Sequence, residues 1–224
     1  MYLQINKLKI FFERIRQSLL IPNQAKIFVL GLNGTGTTSM QNYLQLLGHT
    51  LGNQAEAEKL IPDYNNDNWP AIFDYINTAQ AFADAPFSFP KIHEKLFNRY
   101  PNAKFILTVR DDAETWGKSR IRFLTKALKG DLSYRGLMSF EYSYPNFAID
   151  VSKALSWNEN IDFTSLQYWV QRYEQHNTEV VRFFHNKPNF IVINVNNKSD
   201  IQRLNKFLGQ EDTPKFPHLN QTAR

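Results

Sequence analysis

Lys26-Ile27-Phe28-Val29-Leu30 runs straight into Gly31-Leu32-Asn33-Gly34-Thr35-Gly36, and Thr37-Thr38-Ser39 then opens a helical pattern through Met40, Tyr43, Leu44 and Leu47. No other stretch restricts the fold as much. A short apolar run without polar alternation suits a strand buried on both faces. The glycine turn leads into a helix start, and Gly48 ends that helix. At such a turn, backbone N–H groups point into the loop and the helix dipole favours an anion. Gly31, Gly34 and Gly36 permit close backbone approach to a phosphate, and Thr37, Thr38 and Ser39 add hydroxyl donors. A plain tight turn is the alternative; three glycines with three hydroxyls favour the phosphate site.

The rest of the chain alternates in the same way. Residues 53–68 are rich in Asn and Asp and read as partly loop, and 69–78 as a helix. Ala81-Phe82-Ala83-Asp84 reads as a short strand stopped by Pro86, followed by a helix from Lys91 to Tyr100. Ala103 to Val109 and Phe190 to Val195 are further core strands. Asp111-Asp112 can cap a helix through Trp116, Ser119 and Phe123. A long helix covers Ser165 to His185, and a last one ends at Gly209. Residues 130–163 are the least regular and hold many aromatics. Strands alternating with helices imply an α/β three-layer sandwich with a central parallel sheet.

Composition narrows the partners. The formal net charge of +5 favours anions without choosing among them. No arginine-rich run or aromatic-plus-basic array points to nucleic acid. With no cysteine, disulfides and thiolate metal sites are excluded. His49, His93, His176, His185 and His218 are scattered, so no metal site is expected. In the first twenty residues Leu8, Phe11, Phe12, Ile15 and Leu19 fall at helical spacing between basic residues. The reading is an N-terminal amphipathic helical segment over 1–24, packed on the domain or lying on a membrane surface through 1–20. Charges interrupt any signal-like apolar stretch, so a cytoplasmic protein is expected, membrane-associated in the second case.

A nucleotide-hydrolysing loop reads GxxxxGK[ST], yet Thr37 follows Gly36 here, which argues against ATP or GTP hydrolysis. Asn33-Gly34-Thr35-Gly36-Thr37-Thr38-Ser39 instead resembles the 5′-phosphosulfate loop of sulfotransferases that use 3′-phosphoadenosine-5′-phosphosulfate (PAPS). Ala83-Asp84-Ala85-Pro86, the segment Arg99 to Asp111, Trp116-Gly117-Lys118-Ser119, Tyr173-Glu174-Gln175-His176-Asn177, Phe207-Leu208-Gly209 and Pro217-His218-Leu219-Asn220 agree in order and spacing with its small branch, whose loop reads GxxKTGTTS. The resemblance covers roughly 25–220. It implies a phosphate-loop sulfotransferase fold with a helical cap near 130–163.

The resemblance also implies site roles. Asn33, Gly34, Thr35, Gly36, Thr37, Thr38 and Ser39 would hold the phosphosulfate, and Arg110 and Ser119 the 3′-phosphate. An arginine offers phosphate a bidentate fork, and a serine on the next helix adds a donor. Arg110 could instead pair with Asp111 or Asp112, and Ser119 lies one residue beyond the usual spacing. Where the family carries a loop lysine, this chain has Gly34. Losing such a donor typically costs two to three orders of magnitude in rate, about 3–4 kcal/mol. Lys91, Lys118 and Arg122 are candidate substitutes. Asp84 is the expected base for the acceptor, with a cap or turn role as the alternative. His93 is a weaker base candidate, more simply an exposed helical residue; His176 reads as structural. No metal is required. The aromatic stretch suits either a cap burying its own rings or a wall for a small-molecule, glycan or lipid acceptor. The leading expectation is sulfuryl transfer from PAPS to a hydroxyl or amine. The alternatives are a silent PAPS- or PAP-binding protein (PAP being the desulfated product) and a Mg²⁺-dependent nucleotide phosphotransferase.

Overall fold

The computed structural model describes residues 24–211, 213–217 and 219. The amphipathic segment expected over 1–24 therefore lies outside the described residues, Gln24 apart. Four parallel strands, β1 (Ile27–Val29), β2 (Ala81–Phe82), β3 (Lys104–Val109) and β4 (Phe190–Asn194), pair in the order β2-β1-β3-β4. Phe28 sits opposite Phe82 and Phe105 in register, and its ring stacks on theirs at 5.6 and 5.5 Å.

Alternation along the strands feeds two cores. Phe28, Leu30, Phe105 and Leu107 pack with Ile72 and Ile76 of α4 (Trp69–Ile76), Ile92 and Leu96 of α5 (Ile92–Arg99), and Val180 of α9 (Leu166–Phe183). Ile27, Val29, Ile106 and Ile193 pack on the other face with Met40, Tyr43 and Leu44 of α1 (Thr37–Leu46) and Leu204 of α10 (Lys198–Leu208). Helices on both faces of a parallel sheet make three layers, as the alternating pattern predicts. Burying each large apolar side chain contributes about 1.5–3 kcal/mol.

A third cluster lies off the sheet edge. Trp116 and Leu124 of α6 (Ala113–Ala127), Leu137 of α7 (Tyr134–Met138), Phe163, and Trp169 and Tyr173 of α9 pack together. Asp112 caps α6 as expected, accepting from the Thr115 amide at 2.6 Å.

One expectation is revised, that for His93, and two are given detail. Residues 53–68 form two short helices, α2 (Gln54–Glu58) and α3 (Ile61–Asn65), because Asn53 caps the first and Ile61 is fully buried. Within 130–163, Ser133 caps α7, and α8 (Phe147–Ala154) follows. His93 is buried rather than exposed, edge-on to Phe183 at 5.0 Å, because it faces α9.

Candidate active site

The glycine turn and β3 end at the same edge of the sheet, since Val29 pairs with Ile106 and the Leu30 amide bonds the Ile106 carbonyl. Crevices beyond the carboxyl ends of parallel strands are where such folds hold ligands. Gly36 takes φ 94° as the N-cap of α1, and a Cβ there would collide with the Val195 methyls. Gly31 presses against Thr108 and Thr35. Thr35 is fully buried; its hydroxyl donates to the Leu32 carbonyl and meets the Thr108 hydroxyl, both at 2.7 Å. Thr35 is thus a pillar beneath the turn.

Above it, Asn33, Gly34 and Thr38 are exposed, and the first-turn amides of α1 have no intrahelical partners. Ser39 is buried, its hydroxyl accepting from the Leu219 amide at 3.0 Å. Thr37 is also buried, and its hydroxyl acts on the Asp84 carboxyl. Of the three hydroxyls expected to face an anion, only that of Thr38 opens outward. The cradle is mainly backbone.

Arg110 follows β3. Its amide donates to the Tyr173 hydroxyl at 2.8 Å, while its Nε is buried with no acceptor among the described residues. The alternative partners are otherwise engaged: Asp111 accepts from Asn194 Nδ2 at 2.6 Å, and Asp112 is committed to Thr115. A buried guanidinium nitrogen without an acceptor costs free energy unless an anion completes it. Tyr173 packs on Trp116, whose indole N–H donates to the Asn33 carbonyl at 3.0 Å. One chain of contacts therefore ties Arg110 to the turn. Ser119 is half-buried one helical turn beyond Trp116, with no side-chain hydrogen bond among the described residues.

Asp84 takes φ 58° after β2, with Oδ1 buried and without a partner among the described residues. Burial pushes its carboxyl above the usual range, and the nearby Glu58 adds to this; the Thr37 hydroxyl and the Arg120 charge oppose it. Glu58 is buried too and accepts a weak bond from Gln54.

Beside the cradle opens a cavity of about 330 Å³. Leu137, Phe140, Ala148 and Trp157 form part of its apolar wall, so the 130–163 segment both buries Phe163 and faces open space. Asn33, Glu58, Arg120 and Arg172 supply polar groups to the same cavity. Arg120 lies over the rings of Phe123 and Trp169 at 5.0 and 5.9 Å. Burial pulls its guanidinium down to about 10, still cationic at neutral pH. The proposed substitute cations sit elsewhere: Lys118 is exposed and paired with Glu114 at 2.9 Å, and Lys91 and Arg122 are exposed and off the cavity wall. Sequence reading missed Arg120, Glu58 and Arg172. The only signal was that Arg120 falls four residues after Trp116, on one helix face.

His176 reads as structural and is so placed: its Nε2–H donates to the Leu30 carbonyl at 2.8 Å, beneath the turn. Among the described residues no group of three or more histidines and carboxylates could hold a metal ion, and no helix is long and apolar enough to cross a membrane.

A family model described as a sulfotransferase domain matches residues 26–224. The chain belongs to this family, whose members transfer sulfuryl groups. No curated protein matches the chain at a significant level.

Proposed function

We propose that the chain transfers the sulfuryl group of PAPS to a hydroxyl or amine of an apolar acceptor. The observation that carries this reading is the adjacency of two unlike spaces. An open backbone cradle at Asn33–Thr38 and an apolar cavity share Asn33 as a common wall. The cradle and the unsatisfied Arg110 suit a doubly anionic donor; the cavity suits the acceptor's carbon skeleton.

In the proposed reaction the acceptor oxygen attacks sulfur while the bond from sulfur to the bridging oxygen breaks. PAP departs with the electron pair of that bond. The acceptor proton passes to Asp84, whose buried carboxyl has the raised basicity the task needs. The Arg110 fork holds the 3′-phosphate, with Ser119 as a second donor.

Thermal shift with PAP, PAPS, ATP and Mg-ATP tests the donor. A hundredfold excess over Kd stabilises by about 2.7 kcal/mol, roughly 5–10 °C in Tm for a chain of this size. Stabilisation by Mg-ATP alone would sink the reading. PAP binding with no cleavage of PAPS across a panel of alcohols, phenols and amines would favour the silent binder that Gly34 suggests. Asp84→Asn should lower transfer by about 10²–10⁴-fold and leave PAP binding in place.

A further inference from the structure

The sulfotransferase reading leaves one charge without an owner. As the bond from sulfur to the bridging oxygen breaks, negative charge grows on the phosphate left behind, and the turn supplies no ammonium because position 34 is glycine. Three observations locate a replacement. First, Trp116 marks where a side chain at position 34 would go: its Nε1 lies 3.7 Å from the place a Cβ would occupy, and it bonds the Asn33 carbonyl. Arg120 stands four residues further along the same helix face, an axial rise of about 6 Å, which is the order of a lysine's reach. Second, Arg120 and Asn33 line one cavity. Third, the Arg120 charge and the Thr37 hydroxyl, at the start of α1, both act on the Asp84 carboxyl.

The guanidinium is also in a state to receive an anion. Phe123 and Trp169 hold it by their ring faces, and among the described residues it forms no hydrogen bond or ion pair. Stacked arginine keeps its donor fork free in the plane of the group. Lys118 and Arg122, its neighbours on α6, are exposed, Lys118 in an ion pair with Glu114. Arg172 lines the same cavity from α9, without an electrostatic link to Asp84.

We propose that Arg120 is a catalytic residue, the cation that stabilises the departing phosphate oxygen in place of the missing loop lysine. The proposal rests on the sulfotransferase reading above. The sulfuryl group moves from the bridging oxygen to the acceptor oxygen, the acceptor proton goes to a carboxylate, and Arg120 neutralises the charge left on PAP. A donor of this kind contributes about 10²–10³-fold in rate.

The test measures release of PAP from PAPS, in water and with para-nitrophenol, alongside PAP affinity and Tm. Arg120→Met keeps an apolar side chain beside the rings and removes the charge. The expected result is a rate lower by roughly a hundredfold or more, with PAP affinity within about tenfold of wild type. Added guanidinium chloride should restore at least about tenfold of that loss, and so should Gly34→Lys in the Arg120→Met background. A Met variant that keeps the wild-type rate overturns the proposal. So does a slow Met variant that neither guanidinium nor lysine at 34 restores, since the arginine then only packs. Wild type that binds PAP yet never cleaves PAPS overturns it as well. Wild type that does not bind PAP removes the donor reading itself, a separate and prior failure.

Discussion

The two halves of the crevice, the proposed donor side and the proposed acceptor side, are made of different material. The donor half is backbone: the turn after β1, the first amides of α1 and the end of β3, standing on the buried hydroxyls of Thr35 and Thr108. The acceptor half is side chain: rings and aliphatic groups brought by α6, α7, α8 and α9 from positions 116 to 169. A backbone cradle cannot move without moving the strands that carry it, so it tolerates almost no added atom where neighbours already press on it, as at Gly31 and Gly36. A wall of side chains tolerates changes of size and answers with altered selectivity. The donor half is thus the fixed part of the machine and the acceptor half the adjustable one.

Gly36→Ala gives the sharpest contrast. It adds one carbon where φ is 94° and the Val195 methyls already sit. The positive φ alone costs about 1–2 kcal/mol, and the collision brings the total to roughly 3 kcal/mol. Tm should fall by roughly 6–12 °C, and PAP binding should be lost at any temperature where the protein stays folded. A melt within a degree or two of wild type would show that the turn yields, and the proposed rigidity would fail.

Arg110→Ala comes next in size and separates affinity from stability. Losing a charge-assisted fork should weaken PAP binding by about 10–150-fold. Tm without ligand should hold or rise, because the unsatisfied buried Nε disappears. A variant that melts early and binds PAP normally would make Arg110 a structural residue. Val151→Trp then addresses the other half. Val151 lines the cavity from α8, and a larger ring there should raise the acceptor KM by about tenfold while leaving PAP affinity unchanged. Loss of PAP affinity would show that the halves are not independent.

The same division decides what the sequence could reveal. The donor half is local: Lys26 to Leu47 spells strand, turn and helix in one stretch, and Asp112 announces its own cap. Arg110 could be placed because a strand end fixes where the next residue goes. Arg120 could not, because its position depends on how α6 and α9 pack around Gly117 and Trp169, a contact between residues far apart in the chain. Glu58 escaped for a related reason: its Asn-rich surroundings look like loop, while Ile61 and Ala57 pull the segment into the core as two short helices. Three in a row suggest three ligand donors, yet helical geometry turns Thr37 toward Asp84 and Ser39 toward the tail, leaving only Thr38 outward.

The smallest predicted effect concerns the floor under the donor half. Burial holds both His93 and His176 down to about 4, from an ordinary value of 6.5. The His176 charge lowers His93 further, the Leu30 hydrogen bond raises His176 while Arg172 lowers it, and Glu179 raises both. A base whose folded pKa is depressed binds its proton more readily in the unfolded chain. Its contribution is therefore intact above about pH 6.5 and is lost as pH falls toward 4. Asp84 has the opposite sign: its raised carboxyl takes up a proton in the folded state first, which favours the fold as pH drops below the raised value. The histidines outnumber it and should set the direction between pH 7 and 5. His93→Phe offers an apolar ring of similar size beside Phe183 and Phe184 and cannot titrate. It should remove roughly 1–2 kcal/mol of the acid sensitivity, seen as a Tm loss from pH 7 to 5 smaller by roughly 3–6 °C. His176 bonds the Leu30 carbonyl directly below the turn, so acid should weaken PAP binding before it changes the acceptor KM. An acid response appearing first in the acceptor KM would place the sensitive element in the aromatic wall and reverse the assignment of rigid and adjustable halves.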